Sequence, residues 1–254
     1  MGGTTRCGRM VRAGLFLLAA AGFRFVLSGE QPVGAGVVTY VEGSAKKQKR
    51  AESDWYSVIK DSPVVSGERV RTFAESRAEL EIAHLDRIRM APRTTIDILK
   101  LYEESREQQR ESQILLQSGD LWAHIGKKDE KHVFSITTPV AAAAITGTTL
   151  RLSVAADSSA ELRVYSGEVV LQRVAPVRAA VQGGVAPQQV PGPVEVAAPH
   201  AVSLEEWTLI VRSMQKVRVN SGGQVVQNSA FNRSDADEQS AWVQWNLERD
   251  QARR

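Results

Sequence analysis

Residues 134–154 have the sequence FSITTPVAAAAITGTTLRLSV, and this stretch decides the fold class. Apolar and polar residues alternate at both of its ends, with Phe134 and Ile136 at one end and Leu152 and Val154 at the other. A period of two places alternate side chains on opposite faces of a strand, so each end is predicted to form a strand with one buried face. The proline and the glycine between them favour a corner.

The same short alternating segments recur on both sides of this stretch. They include Ala78, Leu80 and Ile82, then Ile88 and Met90, then Leu162 and Val164, then Val169 and Leu171. Each segment is short and ends at a polar turn, which is typical of all-β domains. The sequence therefore predicts one all-β domain over residues 36–173.

A glycine tripeptide marks three of the predicted corners. Ser66-Gly67-Glu68, Ser118-Gly119-Asp120 and Ser166-Gly167-Glu168 share the order serine, glycine, acid, and an apolar strand follows each one. Glycine adopts a positive φ at little cost, and the acid can accept a hydrogen bond from a nearby backbone N–H. The spacing of these motifs predicts similar groups of strands stacked on one another.

The chain changes character after the predicted β domain. Residues 174–202 are rich in proline, glycine and alanine, which predicts a linker. Residues 203–254 are predicted to form a helix–hairpin–helix tail. Its first helix would begin at Ser203 as N-cap, with Trp207 and Val211 on its apolar face. The hairpin would turn at Gly222-Gly223, and the second helix would carry Trp242 and Trp245.

Residues 1–28 are interpreted as a signal peptide, followed by a spacer at 29–35. Arginines precede an apolar run that is too short to span a bilayer, so cleavage is favoured over a retained membrane anchor. The single cysteine, Cys7, precedes this run, which argues against a lipoprotein and leaves the mature chain without thiols. Without these 28 residues, Lys+Arg falls from 32 to 28 against 29 acids, so the net charge changes from +3 to −1. Nucleic acid is therefore not expected as a partner.

Residues 36–173 resemble the FecR domain, an extracytoplasmic all-β module of bacteria. The strongest likeness is the strand, Thr-Pro, alanine run and Gly-Thr of residues 134–148, together with the Gly-Asp-Leu-Trp of residues 119–122. The resemblance implies a β-solenoid-like or sandwich-like fold and an extracytoplasmic, non-enzymatic binding or signalling role. Because only the leader precedes Gly36, no cytoplasmic helical domain is expected, and the sigma-factor role known in this family is not carried over.

The residues themselves indicate no active site. The threonines around Thr138 and Thr148 lack a neighbouring base in any known motif, and His124, Asp129 and His132 flank a cationic loop that disfavours a metal. No catalytic, cofactor or metal residues are predicted.

The candidate interaction surface consists of the aromatic side chains Trp242, Trp245 and Trp207. We expect a periplasmic or extracellular binding, signalling or scaffold module whose partner is an envelope protein or a glycan. Membrane contact is expected only through the leader before cleavage. The alternative is a structural protein of the envelope that binds carbohydrate or peptidoglycan through its tryptophans.

Overall fold

The structure, a computed structural model, describes residues 1–3, 35–82, 86–104, 110–126, 132–174 and 207–252. The chain divides into two compact units, Met1–Gln31 and Pro32–Arg254, and the fold is that of the second unit. Residues 4–28 of the predicted signal peptide and residues 175–202 of the predicted linker lie outside the described residues. No helix in the described part of the chain is long and apolar enough to cross a membrane.

The second unit is built almost entirely from strands, which confirms the predicted all-β class. Fifteen strands belong to one hydrogen-bonded sheet. In chain order they are β1 (Ala35–Glu42), β2 (Ala45–Lys49), β3 (Tyr56–Val58), β4 (Pro63–Val65), β5 (Glu68–Thr72), β6 (Arg77–Ile82), β7 (Asp86–Met90), β8 (Thr95–Glu104), β9 (Arg110–His124), β10 (His132–Thr137), β11 (Ala141–Val154), β12 (Ala160–Arg173), β13 (Thr208–Arg212), β14 (Gln215–Val219) and β15 (Val225–Ala230). A short 3₁₀ helix (Ala236–Gln239) and one α-helix, α1 (Ala241–Gln251), complete the described fold.

The longest strands bend in the middle, and their two halves pair with different neighbours. The first half of β9 pairs with β8 and β10, whereas its second half pairs with β7 and β11. Likewise, β12 pairs with β14 through its first half and with β13 through its second half. The sheet therefore folds into two layers.

Each layer is defined by its order of strands. The first layer runs β4, β1, β6, β7, the second halves of β9 and β11, the first half of β12, β14 and β15. The second layer runs β3, β2, β5, β8, the first half of β9, β10, the first half of β11, the second half of β12 and β13. The arrangement is sandwich-like. Side chains from both layers meet in one core, for example Leu152 and Leu162 from the first layer with Ile145 and Val169 from the second.

The strands turn from one layer to the other at corners that are stacked in pairs. In three pairs a glycine with positive φ lies against a second positive-φ residue that is followed by Ser or Thr. The pairs are Gly43 with Glu75-Ser76, Gly119 with Arg93-Thr94, and Gly167 with Gly147-Thr148. The hydroxyl then bonds the facing backbone: Thr94 Oγ1 accepts from Asp120 N at 3.1 Å, and Thr148 Oγ1 donates to Glu168 O at 2.9 Å.

The glycines of the three predicted corners have the expected positive φ, but two of them lie within strands rather than in turns. All three glycines of the tripeptides have positive φ, 83° at Gly67, 97° at Gly119 and 88° at Gly167. Gly67 lies in the turn between β4 and β5, as predicted. The other two are bends within continuous strands, because β9 and β12 keep hydrogen bonding on both sides of them.

The tail differs from its prediction at its first helix. Residues 208–212 form strand β13 instead of part of a helix beginning at Ser203, which itself lies outside the described residues. The side chains of Leu209 and Val211 turn toward the core, so the period of two prevails over the helical spacing once β12 offers an edge to pair with. The hairpin of β14 and β15 and the final helix are confirmed. The tail therefore extends the sheet beyond residue 173.

The corner contacts predict a large effect for one glycine substitution and a small one for another. A Cβ at Gly119 would lie 2.5 Å from Thr94 Oγ1 and 2.6 Å from Thr94 Cα, whereas one at Gly67 meets nothing within 4 Å. Both residues have positive φ, which costs an L-residue about 1–2 kcal/mol. We expect Gly67→Ala to lower the free energy of unfolding by about 1 kcal/mol and Gly119→Ala by at least about 3 kcal/mol. Urea denaturation measures both, and equal losses would contradict the close stacking of corners.

Candidate functional site

Two of the three predicted interaction residues lie on α1, which covers the outer face of the first layer. Trp242 is only 9% exposed and packs with Trp122, Tyr165 and Phe231 in a second apolar cluster. Its Nε1 donates to Asp120 Oδ1 at 3.2 Å. Trp242 is thus a packing residue that fixes the helix to the sheet.

Trp245 is half-buried, and its surroundings are already occupied. Its ring stacks on Trp242 with centroids 5.4 Å apart and lies 5.6 Å from the ring of Tyr40. The guanidinium groups of Arg249 and Arg77 lie 4.9 and 5.3 Å from its centroid. A sugar ring would have to displace these contacts, so the structure does not present Trp245 as an open stacking platform.

A buried ionic cluster lies beneath α1. The Arg89 guanidinium, 1% exposed, contacts Glu79 Oε2 at 2.6 Å and Asp250 Oδ1 at 2.7 Å. Arg249 Nε reaches Glu79 Oε2 at 3.1 Å, and Trp122 Nε1 donates to Asp250 Oδ2 at 3.0 Å. The cluster joins strands β6, β7 and β9 to α1. Removing one member would leave a buried charge without its partner, which is costly.

The Glu79 carboxylate is held ionised by this cluster. Burial alone would raise its pKa, but hydrogen bonds from Arg249, Arg89 and Thr39 outweigh burial and lower the pKa from 4.5 to about 2. Alternation with the apolar Ala78 and Leu80 predicts that Glu79 lies on the polar, solvent-facing side of β6. It is instead fully buried, because α1 covers that side.

A second buried group anchors the 3₁₀ helix. Arg163 contacts Glu238 and also Asp237, the latter at 2.8 Å. The Tyr165 hydroxyl donates to Glu238 Oε2 at 2.8 Å, and burial together with the Glu238 charge raises the pKa of Tyr165. The tyrosine therefore stays protonated and acts as a donor. These contacts are structural, since they connect elements of the chain to each other.

The third predicted residue, Trp207, lines an open groove. The groove has a volume of about 510 Å³ and lies between β13 of the second layer and β15 of the first. Its walls are Arg173, Trp207, Leu209, Gly223, Val225 and Asn228. Trp207 Nε1 donates to Gly223 O at 2.9 Å, which holds the ring against the turn of the hairpin. Leu209 and Val225 are only partly buried, so the core is accessible here.

The groove is explained by the unequal number of strands that follow β12 in the two layers. Beyond β12 the first layer continues through two strands, β14 and β15, whereas the second layer continues through β13 alone. One strand position beside β13 and opposite β15 is therefore unfilled by the described residues. A strand at that position would cover Leu209 and Val225.

The free edge of β13 has its hydrogen-bonding groups directed outward. Arg173 N donates to Trp207 O, so by the alternation of an antiparallel ladder the backbone groups of Thr208, Ile210 and Arg212 point away from β12. The N–H of Arg212 is bonded to Gln215 Oε1 at 2.9 Å. Within the described parts of the chain, the Ile210 N–H has no such acceptor, and its side chain is 50% exposed.

The other ends of the layers are better protected against strand addition. Strand β4 has only three residues and begins with Pro63, which has no N–H, and β3 is also only three residues long. Strand β13 has five residues, Thr-Leu-Ile-Val-Arg, with no proline and no acid. Sequence reasoning missed this edge because it assigned these residues to a helix. The β-branched Ile210 and Val211 were the signal that favoured a strand.

The side chains considered for chemistry have structural partners. Thr138 Oγ1 bonds to the backbone of Ala141, and Thr148 Oγ1 to that of Thr146 and Glu168. His124 Nδ1 lies 2.9 Å from Thr149 Oγ1, but no carboxylate among the described residues orients the other ring nitrogen. In the same described part of the chain, no three His, Cys, Asp or Glu residues are grouped to hold a metal. Asp129 lies outside the described residues.

Comparison with known proteins agrees with the resemblance inferred from the sequence. Residues 68–170 match the family model described as FecR protein, which confirms the resemblance over these residues, from β5 through most of β12. No curated protein matches the chain.

Two crystal structures from Parabacteroides distasonis ATCC 8503, each titled a "putative anti-sigma factor", are similar to this chain. They share 12% and 13% identity with it, each with a TM-score of 0.44 over 69% of this chain. The similar part is 64% of the length of those proteins, less than two thirds.

The low pKa of Glu79 predicts an acid-dependent loss of stability. A carboxyl whose pKa is lowered on folding stabilises the protein above its unfolded pKa, and this contribution is lost as the pH falls through the folded value. We expect the contribution of Glu79, on the order of 3 kcal/mol, to disappear between about pH 4.5 and pH 2.

The measurement compares the wild type with two glutamine variants by urea denaturation across this pH range. Glu79→Gln should be less stable at pH 7 and should lose less stability toward pH 2. The control, Glu81→Gln, changes a more exposed carboxylate on the same strand, 3.5 Å from Arg87, and should keep the wild-type acid profile. An unchanged acid slope in Glu79→Gln would show that the cluster does not hold the carboxylate ionised.

Proposed function

We propose that this chain, whose residues 68–170 form a FecR domain, is a non-enzymatic binding module that acts in signalling or scaffolding in the bacterial envelope. The observation that carries the proposal is the outer edge of β13, which pairs with no described strand and lies beside the open groove. The module binds a partner protein, and it does so by accepting an extended segment of that partner as an additional strand.

Strand addition fits both the backbone and the side chains of this site. The outward N–H and C=O of Ile210 supply the hydrogen bonds of a new ladder, and main-chain bonds of this kind give affinity in strand-addition complexes. Alternate side chains of the added strand enter the groove and contact Leu209, Val225 and Trp207. Burying these partly exposed apolar groups contributes further, at about 25 cal/mol per Å².

Export of the protein is supported by the leader and by the composition that follows it. The arginines and the apolar run of residues 1–28 have the order of a secretory signal, and the following chain has no cysteine. Its charge of −1 after removal of the leader is compatible with a soluble periplasmic or extracellular protein. The partner then belongs to the envelope or to the medium outside it.

The alternative of glycan binding through Trp242 and Trp245 receives no support from their environment. The first is buried and the second is enclosed by Trp242, Arg77 and Arg249. Trp207 remains a proposed contact residue, as one wall of the groove.

Substitution of one residue on β13 tests the strand-addition site. Proline at position 210 removes an N–H that points away from β12, so the β12–β13 ladder keeps its bonds and the fold is retained. We expect Ile210→Pro to lose at least about 90% of the partner recovered with the wild type in pull-downs from an envelope fraction, because the new ladder loses a central bond.

The control variant is Ile210→Val, which keeps the N–H and the β-branched shape and should recover the partner as the wild type does. Amide hydrogen exchange of the purified complex supplies the second readout. The Ile210 amide should exchange rapidly in the free protein and slowly in the complex. Full recovery with Ile210→Pro, or an Ile210 amide unprotected in the complex, would exclude this edge as the binding site.

Localisation is tested separately by fractionation of cells that express the chain with a C-terminal tag. We expect the tag in the periplasmic or extracellular fraction, on a product shortened by about 20–30 residues, since that is the length of a secretory signal. Replacing Arg6, Arg9 and Arg12 with glutamine should slow export, because the signal loses its positive region. Tagged protein that is found only in the cytosol with its leader intact would refute the proposed export.

A further inference from the structure

Two cations lie directly opposite each other on the outer face of the second layer. Lys46 on β2 pairs in register with Arg71 on β5. Side chains at such positions are about 5 Å apart at Cβ, and like charges there are destabilising. Among the described residues, no carboxylate lies within 4.0 Å of either cation. The fold thus retains an unfavourable charge pair on an accessible surface.

Neighbouring cations on the same strands form ion pairs with carboxylates. Arg69, two residues before Arg71, contacts Asp97 Oδ1 at 2.6 Å, and Lys47, next to Lys46, contacts Glu68 Oε1 at 2.9 Å. The Asp97 carboxylate is fully occupied, since it also accepts from Gln117 Nε2 at 2.7 Å. Carboxylates therefore neutralise these neighbouring cations, whereas Lys46 and Arg71 have no carboxylate partner among the described residues.

Each of the two cations is held by an aromatic ring. The Arg71 guanidinium lies 5.2 Å from the ring centroid of Trp55, and Lys46 Nζ lies 5.9 Å from that of Phe73. Cation–π contacts of this kind restrict long side chains, so less entropy is lost when an anion binds. Phe73 is 38% exposed and Trp55 is half-buried, so both rings remain accessible from solvent.

The surface around the pair offers the exposed hydroxyl of Ser57 in addition to charge. Ser57 on β3 pairs with Lys46, and Thr95 on β8 pairs with Arg71. These four residues form one row across four strands. Arg71 Nε donates to Thr95 Oγ1 at 3.2 Å, which leaves the remaining guanidinium donors for a ligand.

We propose that this surface, defined by Lys46, Arg71, Trp55 and Phe73, binds an acidic polysaccharide whose sugar units carry carboxylates. A carboxylate placed between the two cations relieves their repulsion and forms charge-assisted hydrogen bonds. The flanking rings contact the apolar faces of the neighbouring sugars, and the exposed hydroxyl of Ser57 bonds to a sugar hydroxyl. This surface is distinct from the β13 edge and does not depend on the proposed function.

The chemistry of the surface favours a glycan over an acidic peptide. A peptide in extended form binds through a free strand edge and through pockets for alternate side chains, as at β13. Here the two cations lie on β2 and β5, each of which is paired on both sides, so no backbone edge is exposed between them. A flat face with two rings, a serine hydroxyl and two adjacent cations fits a chain of sugar rings that bear anions.

The experiment measures binding of the purified protein to a polyuronate, such as alginate, by isothermal titration at low ionic strength. The double variant Lys46→Gln/Arg71→Gln should bind at least about tenfold more weakly, because two charge-assisted contacts are lost. The matched control, Lys60→Gln/Arg233→Gln, removes the same charge from two exposed cations elsewhere and should bind as the wild type does. Trp55→Ala should also weaken binding although it leaves the net charge unchanged.

Thermal denaturation gives a second readout that a merely structural role would not produce. Removing the facing pair relieves like-charge repulsion but also removes two cation–π contacts, so the double variant should melt close to the wild-type temperature. The proposal is overturned if wild type and double variant bind the polyuronate alike. It is equally overturned if polyglutamate binds the wild type as tightly as the polyuronate, which would indicate charge alone. The Ile210→Pro variant should bind polyuronate normally, so this test and the test of the β13 edge fail independently.

Discussion

The close stacking of paired corners is the constraint on which the rest of the structure depends. A sheet can cover its own apolar face only if neighbouring strands turn at the same level, and each turn requires a backbone conformation that L-residues rarely adopt. Gly119 meets this requirement against Arg93-Thr94, and Gly167 meets it against Gly147-Thr148. Because the contacts are closer than a Cβ allows, glycine is needed for space as well as for φ. The hydroxyls of Thr94 and Thr148 then satisfy backbone groups that the bend removes from the ladder.

The sequence predicts the glycine of each corner but not the positive-φ residue that faces it. The glycine tripeptides are visible because glycine is the residue that positive φ favours. The facing residues Glu75 and Arg93 also have positive φ, at 54° and 56°, and nothing in their residue types indicates it. Their conformation is set by the strand stacked against them. Strand β13 was missed for a related reason, since Trp207 and Val211 fit a helical spacing as well as a strand, and only the edge of β12 decides between them.

The interaction residues were harder to predict than the fold, because burial of a tail depends on its partner surface. Trp242 and Trp245 form an amphipathic pattern that is equally consistent with an exposed contact and with packing on the domain. The deciding residues are far away in sequence: Asp120 accepts from Trp242, and Glu79 and Arg89 form the cluster under α1. An acid such as Glu79 within an alternating strand indicates a solvent-facing side unless another element covers that side. The final helix provides the cover, and only the three-dimensional structure shows it.

The edge strands are protected at one end of the strand order and exposed at the other. This asymmetry explains why two separate surfaces are available. At one end the edge strands are short, Pro63 removes an N–H, and the neighbouring face has two facing cations, Lys46 and Arg71. At the other end two strands follow β12 in the first layer and one follows it in the second, so among the described residues nothing covers the edge of β13 or the adjacent part of the core. An exposed apolar edge promotes aggregation, and natural sheets usually protect it. Retaining Ile210 on such an edge is therefore a cost that a bound strand offsets, while the cationic face at the opposite end stays free to bind a different ligand.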